Sequence, residues 1–352
     1  MRISQTGLLA NDSSQSTPGL TLFSPLEAKT AYLLNMAGET VHEWQLGEPV
    51  GGVVYLLENG NLLTAEVSPG GPEGMNGKGG YLREYDWDGN LVSEYLDPAQ
   101  HHDVRKLDNG NLVYVGWEAM EPDKADRVQG GISGTEHAGG IIYSDYVKEV
   151  APAGESVWEW HFQDMDIENY PLLRDVPRAE FAHVNSCFPL PNGDVMISMR
   201  RNSMIAIIDR KTKEFSWEMS DQSWGMQHDA QIMENGNLLF FANGMVTASF
   251  PHSRVIELDM KSKESVWHYA GSPPLSFFSP HISGAQRLSS GNTLICEGGW
   301  GRIFEVTPTG EVVWEYISPH EIEHRHGSIL NWVFRAYRYA ADGPHIQNRA
   351  AA

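Results

Sequence analysis

The chain predicts an all-β fold: a six-bladed β-propeller with four antiparallel strands per blade. Two alternating kinds of hairpin recur along its length, and helical periodicity is scarce. The first kind is an apolar run, a tight turn ending in Gly, and a second apolar run. Its copies are VVYLLENGNLLTA from Val53, DVRKLDNGNLVYV from Asp103, SCFPLPNGDVMIS from Ser186, AQIMENGNLLFF from Ala230 and AQRLSSGNTLIC from Ala285. Asn-Gly between apolar runs is a strong hairpin signal, because a type I′ turn needs positive φ at both central residues.

The second kind usually ends in Trp. Its copies are AYLLNMAGETVHEW from Ala31, YLREYDWDGNLVSEY from Tyr81, YSDYVKEVAPAGESVWEW from Tyr143, IAIIDRKTKEFSWEM from Ile205, RVIELDMKSKESVWHY from Arg254 and RIFEVTPTGEVVWEY from Arg302. Trp44, Trp158, Trp217, Trp267 and Trp314 close five of them, and Tyr95 stands in the remaining one. These aromatics read as packing between blades. Two hairpins per unit make a four-stranded sheet whose faces its neighbours cover. Closing the ring needs strands from both chain ends, and residues 19–24 (GLTLFS) and 331–339 (NWVFRAYRY) are the candidates. One propeller domain is expected over 17–340, with insertions near 117–140 and 162–182. Flexible ends are expected over 1–16 and 341–352.

With 46 acidic against 25 basic residues, the net charge is −21, which repels nucleic acid and anionic membranes. Neither partner is expected, and oligomeric state is left open. No apolar run is long enough for a transmembrane helix, and the polar start does not read as a secretory signal, so the cytoplasm is the expected compartment. Cys187 and Cys296 read as buried free thiols.

The strands that enter the Asn-Gly turns are expected to be innermost, since their polar starts break the apolar pattern at matching points. Those starts read His101-His102-Asp103, His183-Val184-Asn185, Gln227-His228-Asp229 and His281-Ile282-Ser283. Equivalent ends of inner strands converge on one channel mouth, so His102, His183, His228 and His281 are expected to face one another there. The first repeat carries Gly51-Gly52 instead, so the ring is not symmetric. Arg200, Arg201, Asn243 and Arg254 follow or open neighbouring strands. An arginine at such a mouth suits bidentate binding of sulfate, phosphate or carboxylate. His320, His324 and His326 crowd a polar stretch after the last hairpin.

The string HVNSCFPLPNGDVMISMRRNSMIAIID, followed by QHDAQIMENGNLLFFANG, SRVIELD and SGAQRLSSGNTLI, resembles the arylsulfate sulfotransferase family. The opening TPGLTLFSPLEAKTAYLLNMAGETVHEW resembles that family's start, so the likeness runs over nearly the whole chain. It implies a six-bladed propeller that moves a sulfuryl group from an aryl sulfate to a phenol through a sulfated histidine, with no nucleotide donor and no cofactor. By motif it implies that His183 and His228 are catalytic, that Arg254 holds the sulfate, and that His281 is the candidate nucleophile. His102, Asn185, Asn243 and Arg201 are expected beside the substrate. Trp224, Phe277 and Phe278 are the preferred aryl-stacking residues, with Trp117 and Trp300 as further candidates. Two rival readings stand beside this one. The same four histidines describe a metal centre for manganese, zinc or iron in a lyase, hydrolase or oxygenase, with Asp103 or Asp229 orienting them. A non-catalytic scaffold would instead spread its polar and aromatic residues over an outer face.

Overall fold

The structure is a computed structural model that describes residues 5–245, 250–324, 327–347 and 349. Six four-stranded antiparallel sheets form the propeller. Blade 1 is composite: Val333–Tyr339 from the C-terminal end is innermost and pairs with Leu20–Pro25, followed by Thr30–Leu34 and Thr40–Gln45. Both expected closing segments therefore lie side by side. Blades 2 to 5 begin with the inner strands Val50–Leu56, Gln100–Lys106, Val184–Pro189 and His228–Ile232. Blade 6 begins with Gly284–Arg287.

Blade-to-blade contact explains the repeated Trp. Trp44 Nε1 of blade 1 donates to Asp86 O in blade 2, at 2.9 Å. Trp158 of blade 3 reaches Arg210 O, Trp217 reaches Met260 O, Trp267 reaches Pro308 O, and Trp314 returns to Met36 O in blade 1. Each indole thus covers a neighbouring hairpin and satisfies one of its turn carbonyls. Tyr95 of blade 2 contacts the next blade through its hydroxyl, 3.4 Å from the Tyr114 hydroxyl. Trp314 is fully buried at the closure of the ring. Its replacement by Ala is expected to cost about 3–5 kcal/mol in a urea titration.

Gly7–Asn11 adds a fifth strand to the outer edge of blade 6, and Ile346 is completely buried against blades 1 and 2. The two insertions meet beside blade 3 through a short parallel pair, Gly130–Ile132 with Leu172–Pro177. Phe162, Ile167, Phe181 and Ala182 bury this layer on blades 3 and 4.

The inner strands bulge where they begin. The pairing registers of blades 3, 4 and 5 shift at these points. His102, His183, Asp229 and Ile282 adopt φ of 55°, 53°, 55° and 51°. For non-glycine residues this conformation costs about 1–3 kcal/mol each, and such bulges re-aim side chains. Here they turn the ends of four inner strands toward the axis. Blade 2 contributes no imidazole because it has no room: a Cβ at Gly52 would stand 2.3 Å from His102 O.

Candidate functional site

A cavity of about 440 Å³ opens at this end of the channel. His102, His183, His228 and His281 all line it, one from each of blades 3 to 6, together with Arg200. The His102 and His183 rings meet edge to face with centroids 4.6 Å apart. Trp332 and Phe334, at the start of the closing strand, form an aromatic wall, and Leu26, Val67, Met245, Pro280 and Ile282 extend the apolar lining. The His281 ring lies 4.4 Å from Trp332.

Two of these imidazoles are held from behind by a polar side chain. His183 Nδ1 is 2.6 Å from Glu180 Oε2, three residues earlier in the insertion that enters blade 4. The same carboxylate accepts from Trp117 Nε1 at 3.2 Å and from Arg201 at 2.8 Å. His228 Nδ1 is 2.7 Å from Asn243 Oδ1. Because the Asn243 amide nitrogen donates to Ser279 O and Ile282 O, that oxygen must accept, and His228 carries its hydrogen on Nδ1. A carboxylate does the same for His183. Both rings therefore turn an Nε2 lone pair away from their holders. Among the described residues, the buried Nε2 of His281 has no hydrogen-bond partner.

Burial is the first cause holding His102, His183 and His228 well below the ordinary imidazole range, and Arg200 adds to it in each case. Burial and then Arg200 lower His281 to about 4. Arg200 itself is lowered to about 10, by burial first and then by Arg201. At neutral pH these four imidazoles are thus neutral, beside the charged Arg200. The unfolded chain takes up protons on these histidines near their ordinary 6.5, while folded His281 resists until about pH 4. Stability is therefore expected to fall as pH drops from about 6.5 toward 4, read as a falling urea midpoint.

Several expected residues lie elsewhere. Arg201 is buried against Pro177 O and Glu180, and it is the preceding arginine that lines the cavity. Arg254 turns to Ser223, donating to its carbonyl at 2.7 Å, and does not line the cavity. Asn185 donates to Gln227 O and ties two inner strands together. Trp224 packs on Phe240, and Phe277 is enclosed by Phe241, Tyr269 and Phe304, so both belong to the core. Phe278 bonds Glu297 and Trp300 through its backbone. Trp117 stacks behind His101. Asp103 and Asp229 do not orient the histidines; they pair with Arg335 on the axis. His320 stacks on Tyr32, and His326 lies outside the described residues. His324 does line the cavity, 3.3 Å from Glu27. Among the described residues, no three His, Cys, Asp or Glu side chains are grouped as ligands for one metal ion.

The model of the arylsulfotransferase (ASST) family matches residues 86–319. The chain belongs to this family. Its function is accordingly arylsulfotransferase-like at family level. No curated protein matches it in sequence. Among solved structures, a Bacteroides caccae protein of unknown function is similar at 13% identity and a TM-score of 0.57, covering 92% of this chain and 99% of that one. A streptogramin B lyase is similar at 12% identity and a TM-score of 0.51, covering 95% and 93%. At these identities the likeness is one of fold.

Within the ASST family fold, the sequence motifs mark the inner-strand starts well and the second layer poorly. Glu180 and Asn243 fix two of the rings, yet Glu180 carries no motif beyond its spacing from His183. Trp332 and Phe334 stand two apart in a segment that reads simply as a closing strand.

Proposed function

We propose that the chain transfers a sulfuryl group from an aryl sulfate to a phenolic acceptor, with His281 as the transient carrier. The observation that carries this reading is Arg200. Among the described residues its guanidinium has no hydrogen bond or ion pair, and it lines an apolar-walled cavity beside four imidazoles. An unpaired arginine in such a place is a receptor for a planar or tetrahedral oxyanion.

The steps follow from the groups present. The aryl ring rests on Trp332 and Phe334, and the sulfate oxygens face Arg200. His281 is neutral at pH 7, and in the tautomer with hydrogen on Nδ1 its unpartnered Nε2 attacks sulfur. The S–O bond to the ring breaks, and its electron pair leaves on the phenolate oxygen, which takes the Nε2 proton of His102 as that ring is resupplied at Nδ1 from His101 behind it. The acceptor phenol then enters, gives its proton to that imidazole, and attacks sulfur as the S–N bond breaks. His183 and His228, held from behind with Nε2 bare, accept a hydrogen bond from the incoming phenol and orient it for attack.

Exposure to 4-nitrophenyl sulfate without acceptor is expected to add one SO3 to the peptide containing His281, and His281→Ala is expected to abolish that adduct. An adduct confined to a different histidine would move the nucleophile. No metal takes part in these steps, so protein purified without added ions is expected to hold well under one transition metal ion per chain. Near-stoichiometric manganese, zinc or iron would overturn the reading.

A further inference from the structure

Behind the cavity wall, His101 joins His102 to Asp145. His101 Nδ1 stands 2.7 Å from His102 Nδ1, and His101 Nε2 stands 3.0 Å from Asp145 Oδ1. All three side chains are buried, and only His102 lines the cavity. Two ring nitrogens this close share one hydrogen: with none the lone pairs repel, and with two the hydrogens collide. That hydrogen has two places, and each place sets whether Nε2 of His102 carries a hydrogen or stands bare.

We propose that Asp145, His101 and His102 form a proton wire that supplies the leaving phenolate and is reloaded by the acceptor phenol, an inference that rests on the sulfuryl-transfer reading above. In the loaded state Asp145 carries a proton, His101 carries its hydrogen on Nδ1, and His102 carries its hydrogen on Nε2. When the aryl–oxygen bond to sulfur breaks, His102 Nε2–H passes to the phenolate oxygen. His101 Nδ1–H moves to His102 Nδ1, and the Asp145 proton moves to His101 Nε2. The unloaded state is a carboxylate with two neutral imidazoles. The acceptor's O–H proton reverses all three hops, so the cycle closes with no net proton.

The surroundings favour such hops over a standing imidazolium. His102 faces His183, His228 and Arg200, all of which disfavour positive charge on it. Burial raises the Asp145 carboxyl, the contact with His101 opposes this, and nearby Glu180 adds to the rise, which suits a group that alternately holds and releases a proton. Trp117 stacks on His101 with centroids 4.1 Å apart, holding the middle ring and supporting it against transient charge. Asp145 Oδ1 also accepts from Val184 N–H at 3.1 Å, which anchors the wire to the inner strand of blade 4. The His101–Asp145 contact is bent rather than aligned, as resting catalytic contacts often are, so the last hop needs a small turn of the ring.

The test uses two esters whose leaving groups differ in basicity. With phenyl sulfate, Asp145→Asn is expected to slow first-turnover phenol release by about 10²-fold, the scale of lost general-acid catalysis. With 4-nitrophenyl sulfate, whose phenolate leaves without a proton, first-turnover release is expected to stay close to wild type. His101→Gln should show the same ester dependence. Equal losses on the two esters, or no loss on phenyl sulfate, would overturn the wire. Nitrogen-15 NMR of His102 without substrate decides it independently: Asp145→Asn should change which ring nitrogen carries hydrogen, and an unchanged tautomer would sink the wire. A wild-type protein that releases phenol from neither ester would defeat the transfer reading, and the NMR result would still decide the wire.

Discussion

Replacing Arg200 with Met is expected to lower sulfuryl transfer by about 10²–10³-fold, the loss typical of removing one preorganised donor to developing negative charge. The effect should lie mainly in kcat, because the charge on the non-bridging oxygens and the phenolate shifts as the S–O bond stretches. Lys keeps the charge but not the planar fork, so Arg200→Lys should recover only part of the rate. Fold is not at issue, since the Arg200 guanidinium makes no hydrogen bond among the described residues. Removing it also takes away a cation that depresses His183, His228 and His281. These imidazoles should then titrate at higher pH, and the acid limb of the rate profile should move upward. The same kinetics on Arg254→Met decide between the two arginines. A greater loss there would return the sulfate to the residue that the motif marks and displace Arg200 from the role assigned to it.

Arg200 and Arg201 illustrate how far a sequence carries a site. The repeat makes the strand ending at Met199 plain, and it leaves the following residues as a polar pair. They enter a 3₁₀ turn over Arg200–Asn202, ended by Ser203 at a φ of 48°. Which of two adjacent side chains faces the axis depends on the phase of that turn, and no periodicity extends into it. The histidines behave differently because each begins a strand whose register is pinned by an Asn-Gly-type turn on one side and by apolar alternation along its length. Trp44, Trp217 and Trp314 are legible for the same reason: each sits at a fixed place in a repeated hairpin. Asp145 and Trp332 meet their histidines across an insertion or across the ring closure, and sequence spacing says nothing about such meetings. Glu180 stands only three residues before His183, but in an insertion with no periodicity to show where its side chain turns. Trp224 and Phe277 neighbour the strand starts in sequence, yet blade packing turns them inward to the core.

Arg335 is expected to be among the most costly single side chains to lose for stability. It projects from the closing strand of blade 1 and is buried. Its guanidinium lies 3.1 Å from Asp103 Oδ2 and 3.2 Å from Asp229 Oδ1, and it donates to Asn185 O at 2.8 Å. One residue thus holds the inner strands of blades 3, 4 and 5 beneath the cavity. Burial penalises both carboxyls, but the outcomes differ: Arg105 and Arg335 leave Asp103 below its ordinary value, whereas Asp229 ends above its own. Arg335→Met would strand these carboxyls without their shared cation, at a cost of about 3–5 kcal/mol. Adding Asp103→Asn and Asp229→Asn to Arg335→Met should recover much of that loss, since neutral amides carry no unpaired buried charge. The measurement is the urea midpoint of each variant across pH. In Arg335→Met the carboxyls must take up protons to stay buried, so its deficit should shrink as pH falls; a deficit independent of pH would show that Arg335 acts through packing alone.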